Sequence, residues 1–140
     1  MIKTKKKSRY LILADTSFLL VPYDFRLNII EELERVVNGN FTLLVPSFCI
    51  DEINRLIRKG FIMRQKGRLA LKLIEKYATV LEVSTKEGEN VDDAIIRIAK
   101  EINAIVATGD REIRKKLRKE GIPVIFVRAR KKLELEGELY

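Results

Sequence analysis

Histidine is absent from this 140-residue chain, which removes imidazole acid-base pairs, Ser-His triads and His-ligated zinc from consideration. Acid-base chemistry has to come from carboxylates, lysine or metal-bound water. The single cysteine, Cys49, cannot form an internal disulfide, and its neighbours Phe48 and Ile50 mark it as a small core residue rather than a nucleophile. That usage fits a reducing cytoplasm, the expected location. No apolar run approaches the roughly 20 residues that a membrane span needs. The basic start from Lys3 to Arg9 leads only into a short hydrophobic stretch ending at Asp15, so neither a signal peptide nor a transmembrane helix is expected, and no membrane partner.

What is present is a hydrophobic fraction of 46%, ample for the core of one domain of this length. Lys and Arg number 28 against 20 Asp and Glu, a formal charge of +8 that attracts polyanions such as nucleic acid. A charged surface that serves solubility alone is the plainer explanation, and composition does not choose between them.

Along the chain, apolar runs alternate with amphipathic ones. Residues 10–14 (YLILA) are apolar on both faces, as in a strand buried between two helical layers. An amphipathic helix through Ile29, Ile30, Leu33, Val36 and Val37 follows, with Gly39 as its stop. Residues 41–45 (FTLLV) repeat the strand pattern, and Pro46-Ser47 opens a helix with Ser47 as cap and Ile50, Ile53, Leu56 and Ile57 facing inward. After Gly60 a long helix carries Arg64, Lys66, Arg68 and Lys72 on its outer side. Residues 79–83 (TVLEV) read as a third strand. Asn90 caps a helix whose Val91, Ala94, Ile95, Ile98, Ala99 and Ile102 keep strict helical spacing. A fourth strand at 104–108, a basic helix at 111–120 stopped by Gly121, and a fifth strand from Pro123 complete the pattern. The expected fold is α/β, three layers around a parallel sheet of about five strands in the order 3-2-1-4-5. The expected organisation is a basic arm at 1–9, one domain at 10–128 and a charged tail at 129–140, whose Leu133, Leu135 and Leu139 have the option of docking on something apolar.

Asp15 stands directly after the first apolar strand, where open parallel sheets hold ligands beyond the carboxyl ends of their strands. Asp110 follows the fourth strand in the same way, after Thr108 and Gly109. Each also has a capping explanation, Asp15 in the turn DTSF and Asp110 for the helix starting at Arg111. Asp93 sits at the third helical position after Asn90, with Asp92 beside it, and helix-end electrostatics suit either. Glu52, among inward-facing residues of its helix, is an ordinary surface glutamate unless that helix brings it to the mouth of the sheet. The joint placement is harder to dismiss. In the 3-2-1-4-5 order, strands 1 and 4 are neighbours where the winding reverses, which brings Asp15 and Asp110 together, with the Asp93 helix feeding strand 4. Carboxylates crowded in this way raise one another's pKa unless a cation shares them, and hard oxygen donors favour Mg²⁺ or Mn²⁺.

At this point LILADTSFLL, VPSFCIDEI, NVDDAII and IVATGDREIRKKLR resemble, in order and spacing, the acidic segments of PIN-domain nucleases, over roughly Tyr10 to Val127. The resemblance implies a PIN-like α/β/α fold and a metal-dependent endoribonuclease. It assigns Asp15, Glu52, Asp93 and Asp110 as metal-holding catalytic acids, with Asp93, directly before Ala94, matching better than Asp92. Ser17 and Thr108 take positions where relatives carry hydroxyl residues that support the site, and Asp92 is grouped with them. Gly109 departs from the polar residue many relatives carry. The final segment looks more like archaeal and eukaryotic PIN proteins related to small-subunit ribosomal RNA processing than like toxin members of the VapBC type.

The implied reaction is metal-assisted phosphodiester hydrolysis leaving 5′-phosphate and 3′-hydroxyl ends. Candidates for drawing RNA toward the acids are Arg111, Arg114, Lys115, Arg118, Arg64, Arg68 and the basic termini. Aromatics make up only 7% of the chain, so backbone or shape recognition is expected ahead of base reading. The expected partner is RNA, with a ribosomal RNA precursor as one candidate and a second copy or a ribosome-assembly protein as others. Two further readings stay open: a non-catalytic RNA-binding module in a ribosome-assembly complex, and a toxin-type ribonuclease of a toxin–antitoxin pair. An aspartyl-nucleophile phosphatase fits poorly, because no second aspartate stands two residues after Asp15.

Overall fold

A computed structural model of the chain describes residues 9–139; the basic arm, apart from Arg9, lies outside the described residues. Its strands are β1 (Tyr10–Ala14), β2 (Phe41–Pro46), β3 (Ala78–Leu81), β4 (Ile105–Ala107), β5 (Val124–Arg128) and β6 (Lys132–Glu136). The helices are α1 (Thr16–Leu19), α2 (Val21–Phe25), α3 (Ile29–Val37), α4 (Ser47–Leu56), α5 (Phe61–Tyr77), α6 (Val91–Ile102) and α7 (Arg111–Lys119). The sheet order is β3-β2-β1-β4-β5-β6, parallel throughout except for the antiparallel β5–β6 pair.

The strand alternation explains the three layers. Ile12, Ala14, Leu43, Val45, Ile105, Ala107 and Ile125 pack on one face with α1 to α5, around Phe18, Ile29, Leu33, Ile53 and Ile74. Leu13, Leu44, Val106 and Val124 point the other way, onto Ile95, Ile98 and Ala99 of α6 and Ile113 and Leu117 of α7. A strand with both faces covered has no wet side, which is why YLILA carries no polar alternation.

Several local expectations change. The sheet has six strands and is mixed, not five and parallel, because residues 132–136 of the expected tail form an edge strand. Their Leu133 is fully buried against the α3 side of the core, and Leu135 and Leu139 pack beside it. The free edge of β6 is closed by α3: the Leu133 N–H donates to Glu32 Oε1 at 2.9 Å, and Arg35 Nη2 donates to the Leu133 carbonyl at 2.7 Å. Two side chains thus stand in for a neighbouring strand at that point. The turn DTSF is the start of two short helices, α1 and α2. Helix α3 is ended by Asn38, which takes the left-handed conformation (φ 51°), not by Gly39. Ser47 does not cap α4; its hydroxyl donates to the Val83 carbonyl at 2.9 Å and accepts from the Val83 N–H at 3.1 Å, pinning the chain that leaves β3. Helix α7 ends as expected before Gly121, whose φ of 77° disfavours side chains.

Candidate active site

The β1–β4 register sets Ala14 opposite Ala107, so the next residues, Asp15 and Thr108, leave the sheet side by side at its carboxyl end. The Asp15 N–H still donates to the Ala107 carbonyl at 3.2 Å, after which its extended backbone folds the carboxylate back over the first turn of α1. There Oδ1 accepts from the Phe18 N–H at 2.9 Å and from Ser17 Oγ at 2.8 Å. Thr108 Oγ1 donates to Oδ2. Both hydroxyl protons are thereby committed to Asp15, so the 3.3 Å approach of Ser17 Oγ to Thr108 Oγ1 is a contact without a proton to spare. The hydroxyl lone pairs accept in turn: Ser17 Oγ from the Gly109 N–H at 2.8 Å, Thr108 Oγ1 from the Asp110 N–H at 3.0 Å. Asp110 closes the chain of bonds by capping α7, its Oδ1 accepting from the Glu112 N–H at 2.8 Å.

Ser17 and Thr108 therefore tie the ends of β1 and β4 into one unit. Gly109 fits closely against it: a Cβ there would stand 3.2 Å from the Ser17 carbonyl oxygen and 3.4 Å from Ser17 Oγ, so the Ser17 turn would have to give by a few tenths of an ångström.

Asp15 is only 7% exposed. Desolvation pushes its pKa up to about 6, against the lowering effect of the bonds from Thr108, Phe18 and Ser17, and the charge of Asp110 adds to the rise. Glu52 lies half-buried on α4, one turn beyond Cys49. The Cys49 thiol, raised to about 11 chiefly by burial, also feels the charges of Asp15 and Glu52. It is a buried core group, as expected. Asp93 sits in the first turn of α6, where Asn90 Oδ1 accepts from its N–H at 2.8 Å. Its carboxylate has no hydrogen-bond or ion-pair partner among the described residues, whereas Asp92 turns to Lys116 of α7 at 3.7 Å. The loop before α6 is clamped by Arg97, which donates to both Glu89 oxygens at 2.9 and 3.0 Å and to the Ser84 carbonyl at 3.0 Å.

The structure thus joins Asp15, Ser17, Thr108 and Asp110 directly, holds Glu52 half-buried on α4, and brings Asp93 to the same end of the sheet without a contact to the other acids. Among the described residues no three carboxylates close into metal-ligating geometry. The donor chemistry nevertheless suits a hard cation: every donor is oxygen, Asp15 Oδ2 keeps a lone pair after Thr108, and Asp110 Oδ2, Glu52 and Asp93 take no cationic partner among the described residues.

Two depressions meet at this end of the sheet. A cleft of about 580 Å³ includes Ser17, Thr108, Gly109 and Asp110 on one side and Leu20, Phe25, Phe126 and Arg130 on the other. A groove of about 730 Å³ runs along α7 beneath Arg111, Lys115, Arg118 and Lys119. Arg111 and Arg114 line both. Arg111 and Lys115 are exposed, as a substrate contact requires. Arg114 is less free, since its guanidinium lies 3.5 Å from the centre of the Phe126 ring and reaches Glu136 at 3.3 Å. Arg118 spends one donor on the Ile122 carbonyl at 2.9 Å. Arg64 and Arg68, on α5, line neither depression. Arg128, Arg130 and Phe25 escaped the sequence reading, because only the β5–β6 hairpin and helix α2, both unforeseen, bring them to the cleft.

The molecule is therefore an open α/β protein with an acidic centre where the winding of its sheet reverses, flanked by a basic groove. Residues 12–130 match the family model described as a PIN like domain, and the chain belongs to that family. It is 34% identical over 129 residues, 91% of this chain and 98% of the other, to "Ribonuclease VapC4" of Methanocaldococcus jannaschii. It is 27% identical over 124 residues, 87% and 86% of the two chains, to "Ribonuclease VapC9" of Archaeoglobus fulgidus. Among solved structures its fold resembles the PIN domain endonuclease Utp24, with a TM-score of 0.76, 22% identity and 93% of each chain covered. It also resembles VapBC2 from Rickettsia felis bound to a DNA fragment from their promoter, with a TM-score of 0.61, 15% identity, and 84% of this chain and 99% of that one covered.

Proposed function

We propose that this protein is an endoribonuclease that hydrolyses RNA phosphodiester bonds with the help of Mg²⁺ or Mn²⁺ held by Asp15, Glu52, Asp93 and Asp110. The observation that carries the proposal is the hydrogen-bonded unit of Asp15, Ser17, Thr108 and Asp110, opening on one side to a cleft and continuous on the other with a basic groove. The curated relatives at 34% and 27% identity carry the name ribonuclease, which supports the same reaction class.

A bound divalent cation supplies Lewis acidity and a water of lowered pKa. The chain's own residues do the rest. Ser17, Thr108 and the Phe18 N–H hold the Asp15 carboxylate in one orientation, so no reorganisation is needed when the phosphate arrives. Asp110, capping α7, holds its second oxygen in the cleft. Arg111 and Lys115 counter the repulsion that an acidic centre exerts on phosphate. Asp92, already paired with Lys116, supports the start of α6 and leaves Asp93 as the ligand.

The test is incubation of the purified protein with single-stranded and structured RNA, with Mn²⁺, Mg²⁺ or EDTA, beside Asp15→Asn. Cleavage with either metal, lost in EDTA and in the variant, is expected; cleavage that persists in either refutes the mechanism. For the biological setting we propose maturation of a ribosomal RNA precursor, on the likeness of the final segment to PIN proteins of that kind. A toxin-type role is the second reading, favoured by the VapC names of the curated relatives. Site-specific cuts in a precursor RNA support the first, and growth arrest on expression, relieved by Asp15→Asn, supports the second.

A further inference from the structure

One edge of the sheet is closed and the other is open. At β6, Glu32 and Arg35 occupy the outward N–H and carbonyl of Leu133. At the far edge, β3 pairs only with β2 among the described residues, and its Thr79 and Val80 are exposed. Edge strands are ordinarily blunted by proline, lysine, a bulge or a covering segment. Residues 78–83 (ATVLEV) contain no proline, lysine or glycine, and the register from Ala78 to Leu81 runs without a bulge.

Ser47 shows which peptide groups of this edge face outward. Its hydroxyl takes both the N–H and the carbonyl of Val83, at 3.1 and 2.9 Å, on the side of β2 and α4. Peptide groups alternate sides along a strand, so Thr79 and Leu81 also bond toward β2, while Val80 and Glu82 direct their N–H and carbonyl groups away from it. Ala78 shares that outward direction; its N–H already donates to the Ile74 carbonyl, which leaves its own carbonyl available.

We propose that β3 pairs antiparallel with β3 of a second copy, about a two-fold axis through Val80, joining two six-stranded sheets into one. In this register the Val80 N–H of each copy donates to the Val80 carbonyl of the other, and each Glu82 N–H donates to an Ala78 carbonyl across the axis. Opposite residues share a face, so the two Val80 side chains abut, and Glu82 comes over Ala78 next to Lys76 and Tyr77 at the end of α5. A hollow of about 650 Å³ with Phe48, Ile50, Val80 and Val83 in its lining lies beside this seam, and Tyr77 is 44% exposed; both offer apolar surface to cover.

Charge selects a second copy as the occupant. A chain of +8 repels itself over most of its surface, most strongly at residues 53–74, which carry seven cations and no acid. Residues 75–87 instead set Glu75, Glu82 and Glu87 against Lys76 and Lys86, so two copies meet there with little repulsion and with Glu82 near Lys76 of the other. Because β6 is closed, pairing at β3 stops at two copies and does not propagate into a filament. The antiparallel join turns the two acidic centres toward opposite ends of the joined sheet. β3 stands two strands from β1, so neither cleft is covered, and none of this depends on the nuclease reading.

Sedimentation velocity of the full chain over a wide concentration range, with amide exchange followed by NMR, tests the pairing. A monomer–dimer equilibrium is expected. The Val80 and Glu82 amides should gain protection as the dimer forms, while those of Thr79 and Leu81, bonded to β2, stay protected in both states. Val80→Pro removes an outward N–H and no bond within the copy, and Val80→Lys sets like charges face to face; both should remain monomeric, with thermal unfolding confirming that they fold. Glu82→Lys should weaken the dimer roughly tenfold, and adding Lys76→Glu should restore it, which a mere loss of folding would not allow. A monomer at every concentration overturns the proposal and leaves the edge to a strand of a different protein. A dimer that survives both Val80 variants, or that leaves the Val80 amide as exchangeable as in the monomer, overturns it as well, because such a dimer forms through another face.

Discussion

Asp15→Asn should make the metal-free protein more stable at neutral pH while destroying its activity. Burial raises the wild-type carboxyl to about 6 in the folded chain, against an ordinary value of 3.8. The folded state therefore binds the proton more tightly than the unfolded one, so stability falls as pH rises from about 4 to about 6 and stays lower above that. At 1.36 kcal/mol per unit, ionising Asp15 costs the fold about 3 kcal/mol at pH 7.5. Asparagine is never charged and fits the same bonds. Its Oδ1 accepts from the Phe18 N–H and Ser17 Oγ, its Nδ2 donates to Thr108 Oγ1, and the Thr108 proton turns to Ser17 Oγ across the existing 3.3 Å. That last bond is long, so about 1 kcal/mol is lost. The net gain is about 2 kcal/mol, or roughly 6 °C in Tm for a chain of this size. The assay is thermal unfolding in EDTA from pH 3.5 to 8, comparing variant and wild type so that groups common to both cancel. The difference should be near zero or slightly negative at the acid end and grow through the interval between 4 and 6. Added Mn²⁺ should close the gap by stabilising the wild type alone. A variant less stable at every pH, or a difference independent of pH, refutes the argument.

Thr108→Val removes the donor to Asp15 Oδ2 and the acceptor of the Asp110 N–H at a site 1% exposed. It should cost about 1–3 kcal/mol in denaturant unfolding and shift the acidic limb of the pH–rate profile upward, because the Thr108 bond is the largest influence lowering the Asp15 pKa. Gly109→Ala forces a Cβ to 3.2 Å from the Ser17 carbonyl oxygen; about 1 kcal/mol of stability and a larger share of cleavage should be lost, read from unfolding and initial rates. Leu133→Ala, in the strand closed over by Glu32 and Arg35, should cost about 2–4 kcal/mol and expose the tail to protease, whereas a merely docked tail would tolerate it. Asp110→Asn should hold stability within about 0.5 kcal/mol and abolish cleavage, and Asp110→Ala should lose about 1 kcal/mol as well, both measured by unfolding and by gel assay.

Much of the layering was legible because the physics that writes it is local. Doubly covered strands have to be apolar throughout, and Asn90 and Asp110 announce helix starts through side chains that bond two or three residues ahead. The sixth strand was harder. Its KLELE segment carries the period-two alternation of a one-sided strand, but its charge suggests a solvated tail. Its turn has no glycine, since Ala129 and Arg130 supply the left-handed pair, so the usual hairpin signal is missing. Ser47 misled for another reason: its hydroxyl is bound to Val83, a partner 36 residues away, and a distant acceptor leaves no mark beside the serine. The cleft wall formed by Phe25 and Arg130 was hidden with that hairpin. Asp15 and Asp110 could be read as neighbours because each follows a strand end in the expected order, whereas Glu52 entered the candidate set only through the family resemblance.

Capping and metal holding first looked like rival explanations of Asp15 and Asp110; the structure shows the capping, and its geometry is compatible with the proposed metal role. A capping residue is extended, at φ −95° for Asp15 and −102° for Asp110, and its carboxylate folds over the helix to meet an N–H. At the carboxyl end of a parallel strand, that fold aims the carboxylate into the crevice where ligands bind. One oxygen of each group goes to the cap, at 2.9 Å for Asp15 and 2.8 Å for Asp110, and this fixes the direction of the second. If these acids hold the proposed cation, the cap would orient the ligand oxygen in advance. It also separates the two roles in experiment, because asparagine caps as well as aspartate but brings no charge to the metal. A neutral cap that left catalysis intact would show that these carboxylates serve the helices alone.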